Sequence, residues 1–395
     1  MTDNNEKVIP NVDSKSKEER NVPDLRYLHL CDISEPISYG LGASAIKYDG
    51  VNQYIRITDI DDISGRIGNP TKVSPSYLDD KCLLQKDDIL VARTGASVGK
   101  SYFHTISDKS YYAGFLMRLR IIKHNPYYIY QQLKTNKYEK YVEIMSQRSG
   151  QPGINAKELG KYTIRIDSIE KENKIANVFA NLDLRINTQK KIIEDYELLK
   201  KQICNKIYNS NLGTKYSLKD VLKERKIYAQ KDDEYEHVTL SKDGIFPKTD
   251  RYDRDFLVKD ENKEYKITKI NDLCYNPANL KFGVICQNKY GNAIFSPIYV
   301  TYEINKAFNP DYVCMLLTNA SFIKKIRKYE QGTVYERMAV NPEDFIKGEI
   351  YIPTKELQDN SIDKINTLEE KFNEEKKILS LYEKQKQYLL NHIFI

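Results

Sequence analysis

KIANVFANLDLRINTQKKIIEDYELLKKQICNKIY, residues 174–208, decides the fold. Its apolar residues recur at three- and four-residue steps: Ile175, Phe179, Leu182, Ile186, Ile193, Tyr196, Ile203 and Ile207. That spacing marks one face of a long helix with the seam of a coiled coil. No Pro or Gly interrupts it, and at about 1.5 Å per residue it spans roughly 50 Å. The stripe returns at Ile365, Leu368, Phe372, Leu379, Tyr382, Leu389 and Ile393, each 186 positions beyond its counterpart. The polar breaks match too, Gln189 with Glu375 and Lys200 with Lys386. QKKIIEDYE (189–197) and EKKILSLYE (375–383) are nearly the same words. A repeat this long is a duplicated domain, since solenoid periods run from about 20 to 50 residues. So narrow an apolar face does not suit a globular core, and the two copies are predicted to pack on each other.

Composition bounds the rest. The 395 residues allow two or three domains, and the 40% hydrophobic content supplies ordinary cores. The net charge of +6 and pI near 8.6 are mildly basic, short of the pI above about 9 that signals nucleic-acid binding by charge alone. The 31 Tyr with no Trp are unusual, serving cores and strands or a surface that touches nucleic acid or protein. Cys31, Cys82, Cys204, Cys274, Cys286 and Cys314 form no C-x-x-C pair, so no metal site is predicted and a reduced, cytoplasmic setting is the default. No apolar run nears the roughly 18 residues of a membrane span. Residues 1–24 mix charges and amides with little to bury and read as a disordered leader.

Between leader and helices lie two globular units, 25–166 and 212–352, with the helices over 170–208 and 358–395. In the first, YIRITDI (54–60), DDILVA (87–92), GFLMRLR (114–120) and YTIRI (162–166) read as strands, and Pro126 opens a helix over 127–146. Ile129, Leu133, Tyr141 and Ile144 are its predicted inward residues. The second unit repeats the order: HVTL (237–240), NDLCYN (271–276), residues 296–304, a helix at 309–317, and EIYI (349–352). The ends of the two units match, and their middles hardly do.

GASVGKS (95–101) resembles a phosphate-binding loop, but three residues stand between its glycines where that motif needs four. The plainer reading is a strand-to-strand turn that needs Gly for positive φ. Asn276-Pro-Ala-Asn279 falls short of the amino-methyltransferase motif, lacking the second Pro and the aromatic. Paired carboxylates such as Asp61-Asp62, Asp87-Asp88 and Asp232-Asp233 sit in turns with no third ligand at useful spacing. The basic and amide-bearing loops carry more. Arg93, Lys100, Arg148, Gln151 and Lys157 gather in the first unit's loops. Lys248, Arg251, Asn279, Lys281, Gln331, Tyr335 and Arg337 gather in the second's. Arg, Gln and Asn read base edges, and Lys neutralises phosphate. These twelve are the candidate DNA-binding residues.

The chain resembles the specificity subunit of type I restriction-modification systems. The resemblance rests on YIRITDI (54–60), DILVARTGASVGK (88–100), Gly150 with Ile154-Asn155, and the helix 174–208 with its repeat, and it covers nearly all of the chain after the leader. It implies an α/β (α+β) protein with two target-recognition domains, separated by two long antiparallel coiled-coil helices in a pseudo-two-fold internal repeat. It implies a non-catalytic subunit that reads a bipartite, non-palindromic site in double-stranded DNA. The helices, through Phe179, Leu182, Ile186, Ile193, Ile365, Leu368, Phe372 and Leu379, are expected to form the spacer that binds two modification (methyltransferase) subunits, and restriction subunits join that core. No cofactor is expected on this chain; S-adenosylmethionine and ATP belong to the partner subunits. In the second unit Pro277, Asn279 and Val284 replace Arg93, Gly95 and Lys100, while Gly283 keeps the place of Gly99. A DNA role for the first turn therefore does not transfer to the second. Two alternatives stay open on residues alone: a tandem-domain scaffold whose helices bind protein and whose loops bind no DNA, and a P-loop enzyme.

Overall fold

The computed structural model describes residues 26–60, 67–68, 71–106, 108–147, 151–230, 234–248, 264–332 and 338–394. The leader predicted over 1–24 lies outside them. The chain falls into two compact units, Met1–Asn187 with Ser380–Ile395, and Thr188–Leu379.

Each unit carries the same four-stranded antiparallel sheet. In the first the order is Ser38–Tyr39, Leu116–Leu119, Ile89–Ala92, Ser101–Phe103. In the second it is Leu222–Glu224, Val300–Ile304, Leu273–Tyr275, Ile285–Gln287. The strands ILVA and LCY are buried throughout, as short unbroken apolar runs require. An antiparallel pair recurs as well: Arg26–His29 with Thr163–Ile166, and Thr214–Ser217 with Glu349–Ile352. So does one parallel pairing, Gln53–Ile55 beside Ser110–Tyr112 and Glu236–Ser241 beside Ala293–Phe295. The middles diverge. The second unit extends its parallel pair into a five-stranded sheet, whereas the first keeps two separate two-stranded ones.

Several predicted elements are shorter than their patterns. The strand at 54–60 stops at Ile55, because the Asp59 carboxylate accepts the Arg56 N–H at 2.9 Å and its guanidinium at 2.7 Å, folding Ile57–Asp59 into a 3-10 turn. The strand at 296–304 begins at Val300, since Pro297 has no N–H for the ladder. The helix at 127–146 is two helices, Pro126–Gln132 and Asn136–Ser146. Thr135 breaks it: its hydroxyl donates to the Gln132 carbonyl at 2.8 Å and accepts the Tyr138 N–H at 3.3 Å. The break re-aims the second helix. Ile129 and Leu133 are buried and Tyr141 half-buried, but Ile144, predicted inward, is 67% exposed.

The long helices run Ile169–Asn209 and Lys355–Ile393, about 60 Å each. In the first unit Phe179 stacks on Phe394, ring centroids 5.7 Å apart, and Asp183 holds the Lys386 ammonium at 2.7 Å. In the second, Ile203 and Ile207 pack with Ile362 and Ile365, Lys200 pairs with Glu369, and the Gln189 amide donates to the Glu375 carbonyl at 3.2 Å and to its carboxylate. Numbers rise along one helix as they fall along the other, so the pair is antiparallel. The matched polar breaks are thereby explained. Gln189 meets its own repeat counterpart, Glu375. Lys200–Glu369 in one unit is the repeat of Lys386–Asp183 in the other.

The sequence pattern missed one thing: the stripe also enters the globular cores. Ala176 and Phe179 belong to the first core, Ile362 and Ile365 to the second. The first turns of the helices dock there by a duplicated latch. The buried Glu172 carboxylate accepts the Asn125 N–H at 2.9 Å, and the Asn125 side chain reaches Asn173 at 2.7 Å. In the second unit Gln358 accepts the Asn309 N–H at 2.8 Å, and Asn309 reaches Asp359 at 2.6 Å. Each Asn also caps the helix behind it, Pro126–Gln132 or Pro310–Leu317.

Candidate nucleic-acid interface

At one end of the first unit's four-stranded sheet, the strand Ile89–Ala92 turns through residues 93–100 into Ser101–Phe103. This is a hairpin, strand to strand, so the phosphate-loop reading fails on context as well as spacing. Gly95 and Gly99 hold φ of 76° and 80°, and Gly283 in the second unit's turn holds 79°. The predicted need for positive φ is met at the same place in both.

Arg93 opens the turn. Its N–H donates to the Phe115 carbonyl at 3.0 Å, and its own carbonyl accepts the Ile154 N–H at 2.9 Å. Its guanidinium lies 4.6 Å over the Tyr39 ring, and Nε is buried without a hydrogen-bond partner. Arg56, Arg120 and Arg225 pair with Asp59, Asp88 and Asp272. Among the described residues, no carboxylate does the same for Arg93. The Tyr39 hydroxyl accepts the Ala156 N–H at 2.9 Å, tying the platform to the short helix Ala156–Gly160. Gly95 N–H donates to the Pro152 carbonyl at 3.0 Å, and the Gln151 side-chain nitrogen lies 3.2 Å from where a Cβ on Gly95 would stand. Arg93, Lys100, Gln151 and Lys157 are thus brought to one end of the sheet, with Gln151 and Lys157 exposed. Arg148 lies outside the described residues.

The second unit builds the same junction from other residues. Asn276 caps the 3-10 turn Pro277–Phe282, its side-chain oxygen accepting from Ala278 and Asn279. The Pro277 carbonyl accepts the Val340 N–H at 3.2 Å, as Arg93 accepts that of Ile154. Gln331 and Ala339 bond reciprocally at 2.8 and 2.9 Å, placing Gln331 at the same junction as Asn279 and Lys281, but the Gln331 amide is committed to Asp344 at 2.8 Å. Lys248 follows the strand Gly244–Pro247 on the five-stranded sheet. Arg251, Tyr335 and Arg337 lie outside the described residues.

The eight residues assigned to the partner-binding helices are buried or half-buried. They form the seam and the core contacts. The apolar side chains these helices expose are others: Ile169, Val178, Leu184, Leu381 and Tyr388 in the first unit, Leu198, Leu199, Leu357 and Ile378 in the second.

Chemistry of its own is poorly provided for. Burial pushes all six thiols up, Cys274 and Cys286 to about 12, so none is a ready thiolate at neutral pH. Among the described residues no group of three His, Cys, Asp or Glu could hold a metal ion. Among the described residues no helix is long and apolar enough to cross a membrane.

Fold and junction together define a duplicated scaffold whose two units present unlike polar side chains at the same end of one sheet. Residues 41–197 match the family model described as the type I restriction modification DNA specificity domain. Two solved structures share the fold. One chain, from work on complex assembly and conformational transition of the type I R-M system, is 10% identical at a TM-score of 0.59, covering 93% of this chain and 96% of its own. The other, the type I restriction-modification S subunit from M. genitalium, is 12% identical at 0.56, covering 96% and 98%. No curated protein matches the chain.

Proposed function

We propose that each unit is a target-recognition domain reading one half of a split, non-palindromic DNA site, and that the chain directs methyltransferase subunits to that site. The observation that carries this is the repeated junction: one rigid turn, braced by one later segment, presents Arg93 and Lys100 in the first unit and Asn279 and Lys281 in the second. A shared scaffold with unlike polar tips is what two readers of unlike half-sites need. Arg pairs bidentately with guanine and Asn with adenine, while Lys serves phosphate. The helix pair is the spacer, and its exposed apolar residues are the surface for two modification subunits, which a restriction subunit joins. On this reading S-adenosylmethionine and ATP are used only by those partners, and the complex works in the cytoplasm. The test is a methylome of a methylation-free host carrying this gene with its neighbouring methyltransferase. A two-part motif with an unread gap is expected; a contiguous or palindromic motif, or no methylation, refutes the proposal.

A further inference from the structure

Two side chains at these junctions have no place in a scheme of hydrogen-bonded readout. Phe115 is 61% exposed and Phe282 68%, the two most exposed aromatic rings among the described residues. A lone apolar residue on a surface is ordinary. These two stand at the same end of the repeated sheet. Phe115 stands at the sheet end beside Arg93, whose N–H holds its carbonyl at 3.0 Å, between the buried Ala113 and Leu116. Phe282 is the last residue of the turn Pro277–Phe282, ahead of left-handed Gly283, with the Lys281 ammonium 5.1 Å from its ring. Phenylalanine has no polar atom to repay exposure. Each backbone is fixed, so each ring is held out by a rigid stem, and the Lys281 ammonium lies beside that of Phe282. The two are not repeat counterparts: Val91 pairs with Met117 and its counterpart Tyr275 with Val300, so the place of Phe115 falls to Ile298, itself 63% exposed. The same kind of group has been put at the same end by two routes.

We infer that Phe115 and Phe282 are base-stacking wedges, one for each half-site, which press against or between base pairs, with Lys281 holding phosphate beside the second. Apolar wedges of this kind unstack a base step and bend the duplex. The inference rests on the DNA-reading proposal and adds to it a deformation of the site.

The experiment uses the full-length chain and duplexes carrying its motif, with 2-aminopurine placed in turn at each step of both halves. Binding of the wild type should raise fluorescence at one step in each half. Phe115→Ala should abolish the rise in the first half only and weaken binding roughly tenfold, the scale of one aromatic–base stack. Phe282→Ala should do the same in the second half, and Phe115→Trp should keep the signal. Both rings being exposed, the alanine variants should melt as the wild type does. Specific wild-type binding without a fluorescence change, or alanine variants that bind and fluoresce like the wild type, overturns the wedge and leaves the reading intact. Wild-type binding indifferent to sequence overturns the reading, and the wedge with it.

Discussion

Arg93 shows what one residue owes to its neighbours. A guanidinium in water samples many rotamers. Here it lies 4.6 Å over the Tyr39 ring, and Tyr39 is fixed by its bond to Ala156. Arg93→Ala should relax specificity at one base pair of the first half-site by about 1–3 kcal/mol, and Arg93→Lys should restore little, because lysine has no planar fork. Affinities for duplexes substituted at each position check both. Tyr39→Phe keeps the ring and loses the hydroxyl, so it should cost less than Tyr39→Ala. Lys134 tests the electrostatics of the first core. Burial, then the nearby Lys386, lower its pKa to about 8, although its ammonium donates to the Ser101 carbonyl at 2.8 Å. An unfolded lysine keeps its proton to about 10.4. Between pH 8 and 10 the unfolded chain therefore binds more protons, and this group makes stability rise with pH. Lys134→Met should raise the melting temperature at pH 7 and remove that rise, which melts across the pH range will show.

At the scale of elements, ion pairs at repeat-equivalent positions sit in different surroundings. Lys200–Glu369 has both side chains over 40% exposed, while Asp183, 16% exposed, also accepts bonds from Tyr127 and Gln131. Glu369→Ala should cost under about 1 kcal/mol. Asp183→Ala strands three donors and should cost about 1–3 kcal/mol. Hydrogen exchange of the helix segments separates the two. The helices were the legible part of the sequence, because 3.6-residue periodicity and a 186-residue echo reinforce each other. The latch at Asn125 and Glu172 was not legible, since 47 residues separate the partners and neither is apolar. Tyr39 was missed for the same reason: nothing near it in the chain signals a contact with Arg93. The break at Thr135 was written locally, a hydroxyl competing for the helix bond, but the apolar pattern outvoted it.

For the whole molecule, the division into two units makes exchange the decisive operation. Replacing 25–166 with the matching segment of a relative should change one half of the methylated motif and spare the other. Methylation mapping of the chimera reads this directly, and a chimera that alters both halves would show that the halves are not read separately. The divergent middles belong here. A five-stranded sheet in one unit and two small sheets in the other stand on the same four strands, so variation is confined to what the frame supports.

The contact between Gln189 and Glu375 carries a consequence for origin. A residue that touches its own counterpart is the mark of an isologous interface, the kind two identical subunits make about a dyad. The ion pairs Asp183–Lys386 and Glu369–Lys200 are the two reciprocal halves of that same interface. Within each unit the helix seam thus carries the pattern of contacts an isologous interface makes. Restoring Gln at 375 would return the central contact to symmetry, and a chain holding one domain and one helix should still find a second copy of itself. Such a homodimer would carry two identical readers and should select an inverted repeat of a single half-site.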